Sequence, residues 1–135
     1  MSDAPPQLDP ATVQAFVASA HGDLDVVRSL LEEEPTLVNA AWDWGGGDWE
    51  TGLGAASHMG RRQIALYLLE HGARLDLFAA AMLGYFDVVT TILSDFPEMR
   101  EALGPHGITL VEHARVGGAD ARAVLDLLQT AGVAG

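Results

Sequence analysis

Apolar residues recur along this chain in four similar segments, each with the spacing of a helix surface. In each segment a short run of small residues reaches a glycine, and a second run then carries apolar residues at i, i+1, i+4 and i+5. This spacing forms one stripe of an α-helix. Each segment therefore predicts a short helix, a turn and a longer helix. The four turn glycines are Gly22, Gly60, Gly84 and Gly118.

A single helix pair of this kind cannot bury its own apolar stripe. When equivalent pairs stack, their alanine-rich faces come close together, and leucine and valine side chains are covered between neighbours. The sequence therefore predicts an all-α solenoid of four helix-turn-helix repeats.

Several short motifs identify these segments with a known repeat. Residues 51–60 read TGLGAASHMG, which is similar to the helix-opening motif TPLHxAAxxG of ankyrin repeats, and residues 37–40 and 71–73 match the family's helix endings. The fourth copy opens with the same type of residue, Thr109. The segments thus resemble ankyrin repeats over nearly the whole chain after residue 10. The resemblance implies an ankyrin-like fold in which finger loops and the first helices line a concave binding face.

The spacing of the copies is irregular at the second repeat. The interval from Gly22 to Gly60 is longer than the ankyrin period of about 33 residues, and the interval from Gly60 to Gly84 is shorter. The first connection therefore predicts an enlarged finger loop, residues 42–50, and the second connection predicts almost no finger.

The enlarged finger contains all three tryptophans of the protein, Trp42, Trp44 and Trp49. Residues 45–47 are three consecutive glycines, which suit a backbone that turns left-handed. A reversal there would bring Trp44 near Asp48. Because the next finger is nearly absent, we expect the indole rings to lean over the neighbouring helices and form a pocket.

In ankyrin repeats the two positions before the repeat glycine face the concave side, and a later finger at residues 104–107 would close the opposite wall. Apolar walls with a few polar groups are typical of a small-molecule site. The candidate ligand-binding residues are His21, Trp42, Trp44, Trp49, His58, Met59, Met82, Leu83 and His106.

Carboxylates and imidazoles near this pocket also allow acid-base chemistry. The candidate catalytic residues, if the protein is an enzyme, are Asp43, Asp48, Glu50 and His58. The alternative is that the acidic residues are solvated turn residues and that the tryptophans roof an apolar flank. A metal site of two histidines and one carboxylate requires a geometry that nothing local imposes, so no metal ion and no cofactor are predicted.

Composition limits the classes of partner. Nineteen acidic and seven basic residues give a net charge of −12, which disfavours nucleic acid and membrane surfaces. The chain has no cysteine, no signal segment and no apolar run of membrane-spanning length, so we expect a cytoplasmic protein. Its 135 residues fit one domain, residues 11–135, preceded by a flexible proline-containing arm at residues 1–10. The arm ends where Asp9 is expected to cap a helix whose first position is Pro10.

Two functions follow as hypotheses. The first is a recognition module whose concave face binds a protein, a peptide or a small apolar or cationic molecule beside the tryptophan-rich finger. The second is a small cofactor-independent enzyme, a cyclase, isomerase or hydrolase, with an apolar substrate pocket under that finger.

Overall fold

Helices make up most of the chain in the computed structural model, which describes residues 3–135. They follow one another in pairs, and two short strands lie between the first pair and the second. The predicted all-α class is confirmed, with the addition of this small sheet. The helices of the described residues are α1 Pro10–Ser19, α2 Leu24–Glu33, α3 Gly52–His58, α4 Arg62–Glu70, α5 Leu77–Leu83, α6 Phe86–Asp95, α7 Leu110–Val116 and α8 Arg122–Thr130.

The first helix starts where the sequence predicts it. The Asp9 carboxylate accepts a hydrogen bond from the Thr12 backbone N–H at 3.2 Å, and Pro10 occupies the first turn. A carboxylate cap satisfies a free N–H group, and proline there costs no hydrogen bond. Of the predicted arm, residues 1 and 2 lie outside the described residues, whereas Leu8 packs against the core.

The first helices of the pairs form the centre of the molecule. α3 packs against both α1 and α5, and α5 packs in turn against α7. All but the last residue of α3 are buried, as are all residues of α5 except Phe78. Met82 and Leu83, predicted as ligand-binding residues, therefore belong to the hydrophobic core.

Close approach of α3 to α1 depends on a glycine. A Cβ atom on Gly52 would lie 2.7 Å from Cε2 of Phe16, a distance that side chains do not tolerate. In the ankyrin motif that this segment resembles, proline stands at this position. Here the absence of a side chain lets the Phe16 ring pack directly against the start of α3.

The enlarged finger is a β-hairpin. Strand β1, Ala41–Asp43, pairs antiparallel with β2, Trp49–Thr51, and Trp42 lies opposite Glu50. Glycines 45, 46 and 47 have φ angles of 135°, 63° and 87°, so the predicted left-handed reversal is confirmed. The Asp43 carboxylate fixes the tip by accepting hydrogen bonds from the backbone N–H groups of residues 45 and 47, at 2.8 and 3.0 Å.

The remaining connections are short. Residues 71–76 join α4 to α5 without a hairpin, whereas residues 102–109 form a turn closed by a bridge between Leu103 and Thr109. In the part of the chain that the structure describes, no helix has both the length and the apolar composition needed to cross a bilayer.

Candidate metal centre

Three imidazoles and one carboxylate meet beside the hairpin. They belong to His21, Glu50, His58 and His106, and one ligand atom from each lies within 4.8 Å of the others. The residues come from the turn that follows α1, from β2, from the end of α3 and from the turn at residues 102–109. The fold thus gathers four groups that are far apart in the sequence.

Strand alternation directs Glu50 inward. Successive side chains of a strand point to opposite sides, so Trp49 faces solvent with 61% of its surface exposed while Glu50 is only 1% exposed. Thr51, the next residue, caps α3 by accepting the backbone N–H of Gly54 at 3.0 Å. Because His58 is the last residue of α3, one rigid helix fixes the spacing between Glu50 and His58.

The Glu50 carboxylate is the centre of the cluster. Its Oε2 atom lies 3.0 Å from Nε2 of His58 and 3.1 Å from Nε2 of His106. Its Oε1 atom lies 3.2 Å from Nε2 of His21 and accepts a hydrogen bond from the Trp44 indole N–H at 2.8 Å. Every imidazole therefore presents Nε2 to the same carboxylate.

The hydrogen bonds of two imidazoles fix their neutral tautomers. Nδ1–H of His21 faces the carbonyl oxygens of Val17 and Ala18, at 3.1 and 3.0 Å, and donates to them. Nδ1–H of His106 donates to Oδ2 of Asp48 at 2.7 Å. A neutral imidazole with its proton on Nδ1 has a lone pair on Nε2. When either residue is neutral, this lone pair is on the ring nitrogen nearest the carboxylate.

Two atoms in the middle of the cluster have no hydrogen bond. Oε2 of Glu50 and Nε2 of His58 are fully buried and, although 3.0 Å apart, lie outside hydrogen-bond geometry with each other and with every other described residue. Buried polar atoms are normally paired, because an unpaired one costs about 1 to 3 kcal/mol. Both atoms instead belong to the cluster, in which one ligand atom from each of the four residues lies within 4.8 Å of the others.

The surroundings favour the charged form of the carboxylate. Burial would raise the pKa of Glu50, but His58, the Trp44 N–H and the other two imidazoles together lower it below its usual range. Hydrogen bonds from the backbone N–H and the side chain of His106 lower the pKa of Asp48. Both groups are therefore anionic at neutral pH.

An unusual backbone conformation aims His106 at the cluster. Its φ of 62° places it in the left-handed region, and among the described residues no other non-glycine residue has a positive φ. Its backbone N–H donates to Oδ1 of Asp48 at 2.8 Å, which helps to hold this conformation. Left-handed residues other than glycine cost about 1 to 3 kcal/mol and are concentrated at functional sites.

Solvent reaches the cluster from one side. The Glu50 side chain is fully buried and that of His58 is 10% exposed, whereas those of His21 and His106 are 26% and 32% exposed. The Trp44 ring lies on this open side, with its centroid 6.2 Å from the ring of His21 and 6.4 Å from that of His106.

The other sequence-predicted residues lie around the cluster or away from it. Trp42 packs against the core, and Asp43 holds the hairpin tip. Trp49 borders a separate cleft of about 380 Å³, which Phe78 and Leu103 also line. Met59 is 44% exposed at the end of α3.

Sequence reasoning named every member of the cluster but did not group them as metal ligands. The available signal was the neighbouring placement of His21 and His58, one and two residues before their repeat glycines. The finger loops that bring Glu50 and His106 to the same place gave no local signal.

No protein-family model matches this chain, and no curated protein matches it.

Proposed function

We propose that this protein binds one divalent first-row transition-metal ion through His21, Glu50, His58 and His106. The observation that carries the proposal is the convergence of the four ligand atoms within 4.8 Å of one another. It departs from the sequence prediction of no metal and no cofactor, because that prediction considered only local spacing.

A bound cation would resolve the electrostatic conflict within the cluster. In the neutral form, the Nε2 lone pairs of His21 and His106 face carboxylate oxygens at 3.2 and 3.1 Å, and this arrangement is repulsive unless a proton or a metal cation lies between the atoms. Protonating all three imidazoles would supply that charge. It would also place three cations with ring centroids 5.1 to 6.4 Å apart, and these repel one another. One divalent ion satisfies all the lone pairs without this repulsion.

The donor set indicates the class of ion. Imidazole nitrogens suit zinc, copper, iron and nickel, and a carboxylate suits these ions as well. Metal bonds of about 2.0 to 2.2 Å place neighbouring ligand atoms about 2.8 to 3.6 Å apart, the shorter values for angles near 90° and the longer ones for tetrahedral angles. The distances of 3.0 to 3.2 Å between Glu50 oxygens and imidazole nitrogens agree with this requirement.

The groups that hydrogen-bond to the proposed ligands are of the kinds commonly found around metal sites. Histidine ligands commonly donate their second ring N–H to a carboxylate or a backbone carbonyl, which fixes the ring and makes it a better donor. Asp48 has this role for His106, and two backbone carbonyls have it for His21. The Trp44 N–H holds the Glu50 carboxylate in the same way.

We propose further that the scaffold is an ankyrin-like solenoid, with the hairpin as its first finger. Four helix pairs in chain order and contacts between successive first helices support this assignment. The centre would then lie between two fingers, where ankyrin-like proteins bind partners. The recognition role and the enzyme role suggested by the sequence stay predictions, and a metal ion is compatible with either.

Metal content tests the proposal directly. The untagged protein is stripped with a chelator, then titrated with Zn²⁺ and with Co²⁺ by calorimetry, and the retained metal is counted by elemental analysis. We expect one ion per chain. His21→Gln and His106→Gln change partly exposed ligands, so they preserve the core, and each should weaken binding more than about 100-fold.

His71→Gln is the matched control, because His71 is an exposed histidine whose Nδ1 contacts the Tyr67 carbonyl oxygen outside the cluster. This variant should bind metal like the natural protein. A natural protein that retains no metal, or ligand variants that bind as well as the control, would overturn the proposal.

A further inference from the structure

We infer that the centre binds a small monoanionic oxygen or nitrogen donor from solution as an additional ligand of the metal ion. This inference rests on the proposed function. The ligand would bind on the open side of the cluster, next to Trp44. The centre would then be a binding site for an exogenous molecule as well as a structural element.

The four side chains of the cluster differ in their exposure to solvent. Glu50 is completely buried, and His58 is nearly so, which closes the inner side. The side chains of His21 and His106 expose about a quarter and a third of their surfaces, so solvent has access between them. A purely structural metal site is usually enclosed by its ligands, whereas a reactive one keeps a position open.

The number of protein ligands leaves room for another donor. Four protein ligands saturate a tetrahedral ion, but ions such as Co²⁺, Ni²⁺ and Fe²⁺ also accept five or six ligands. Oε2 of Glu50 lies 3.0 Å from Nε2 of His58 and 3.1 Å from Nε2 of His106, so this oxygen neighbours two of the three nitrogens. Angles near 90° at the ion give such distances, and these angles belong to coordination numbers above four.

The charge of the centre selects the ligand. A divalent ion bound by three neutral imidazoles and one carboxylate retains one positive charge, which a monoanion neutralises. The carboxylate of Asp48 is hydrogen-bonded to His106, so it remains outside the ligand set. The net charge of −12 opposes ligands with several negative charges. These charges favour a single carboxylate, hydroxide or a pseudohalide.

Trp44 limits the size of the ligand, and its fluorescence should change when the ligand binds. Its indole lies within 6.2 and 6.4 Å, centroid to centroid, of the two partly exposed imidazoles. A molecule bound at the ion on this side would contact the indole ring. Its apolar part would thus be covered by the ring while its anionic group binds the ion.

The test uses the Co²⁺-loaded natural protein, whose visible absorption depends on the number and type of ligands. Sodium azide and sodium acetate are titrated separately, with the tryptophan fluorescence of the protein followed in parallel and the bound cobalt counted after each titration. We expect saturable spectral changes with cobalt retained at one per chain. In His71→Gln, which leaves the cluster intact, the same changes are expected.

The failures are distinguishable. A protein that keeps one cobalt per chain but shows no spectral change with either anion would overturn this inference and leave the metal proposal standing. Loss of cobalt into solution on adding azide would also overturn it, because the anion would compete with the protein for the ion. A protein that binds no cobalt would overturn the metal proposal and the inference together.

Discussion

Asp48 accepts two hydrogen bonds from His106, one from the backbone N–H at 2.8 Å and one from Nδ1–H at 2.7 Å. The contact joins the hairpin to a turn 58 residues later in the chain. It fixes both the backbone conformation and the ring orientation of His106. Asp48 is therefore a positioning residue for the proposed metal ligand.

Asp48→Asn should weaken metal binding about 10- to 100-fold, because a neutral amide orients and polarises His106 less well than a carboxylate does. Calorimetric titration with Zn²⁺ measures the change. Asp43→Asn is the matched control, since it removes the same charge from the same hairpin at a residue that contacts only the hairpin tip. Equal affinities of the two variants would contradict the assigned role.

Trp44→Phe should destabilise the metal-free protein by about 1 to 3 kcal/mol, because the buried Glu50 oxygen loses its indole donor. Chemical denaturation in the presence of a chelator gives the free energy of unfolding. Trp49→Phe changes an exposed tryptophan of the same hairpin and should alter it by less than about 0.5 kcal/mol. Equal free energies of unfolding for the two variants would show that this hydrogen bond does not stabilise the protein.

Stability should fall as the pH drops below about 7, in part through His113. Burial lowers the pKa of His113, and the nearby His58 lowers it further. The hydrogen bond to the Thr109 carbonyl and the charge of Asp76 raise this pKa, but by less. His113 therefore binds a proton near pH 6.5 in the unfolded chain, but only at a lower pH in the folded chain. Stability from this group is fully present above pH 6.5 and is lost as the pH falls toward the lower folded pKa.

His113→Gln tests the assignment. The variant loses the titrating group, so its melting temperature should depend less on pH between 7 and 5 than that of the natural protein. Both proteins are measured with chelator present, which keeps the metal ligands equivalent in the comparison. An unchanged slope would show that other groups cause the pH dependence.

Met82→Ala should cost about 2 to 5 kcal/mol of stability, because it leaves a cavity in the core. Met59→Ala should change stability by less than about 0.5 kcal/mol, since Met59 is 44% exposed. Urea denaturation of the two variants provides the comparison. The description of Met82 as a core residue fails if its replacement is as harmless as that of Met59.

Local patterns were sufficient to predict the helices and the hairpin. Apolar spacing determined the helix pairs, Asp9 and Pro10 determined the first helix start, and the three glycines at 45–47 determined the reversal. Each of these features depends on residues within a few positions of one another. Their physical causes are therefore present in a short stretch of sequence.

The ankyrin resemblance placed the four residues around one pocket, but the meeting of the three imidazoles at the Glu50 carboxylate could not be predicted in this way. Glu50 turns inward because of strand alternation, and His106 reaches it because of a left-handed backbone held by Asp48. Neither residue has a local pattern that indicates these positions. Similarly, Met82 and Met59 looked alike in sequence, and only the contacts between α3 and its neighbours separate them into buried and exposed.

The distribution of the four ligands along the chain has a mechanical consequence. An ion bound from residue 21 to residue 106 would act as a reversible cross-link between distant parts of a protein that has no cysteine. A covalent bridge that closes a loop of this size stabilises a fold by about 4 to 5 kcal/mol in the chain-entropy model. Chelation would open such a bridge without any redox chemistry, and the supply of metal would then set the rigidity of the molecule.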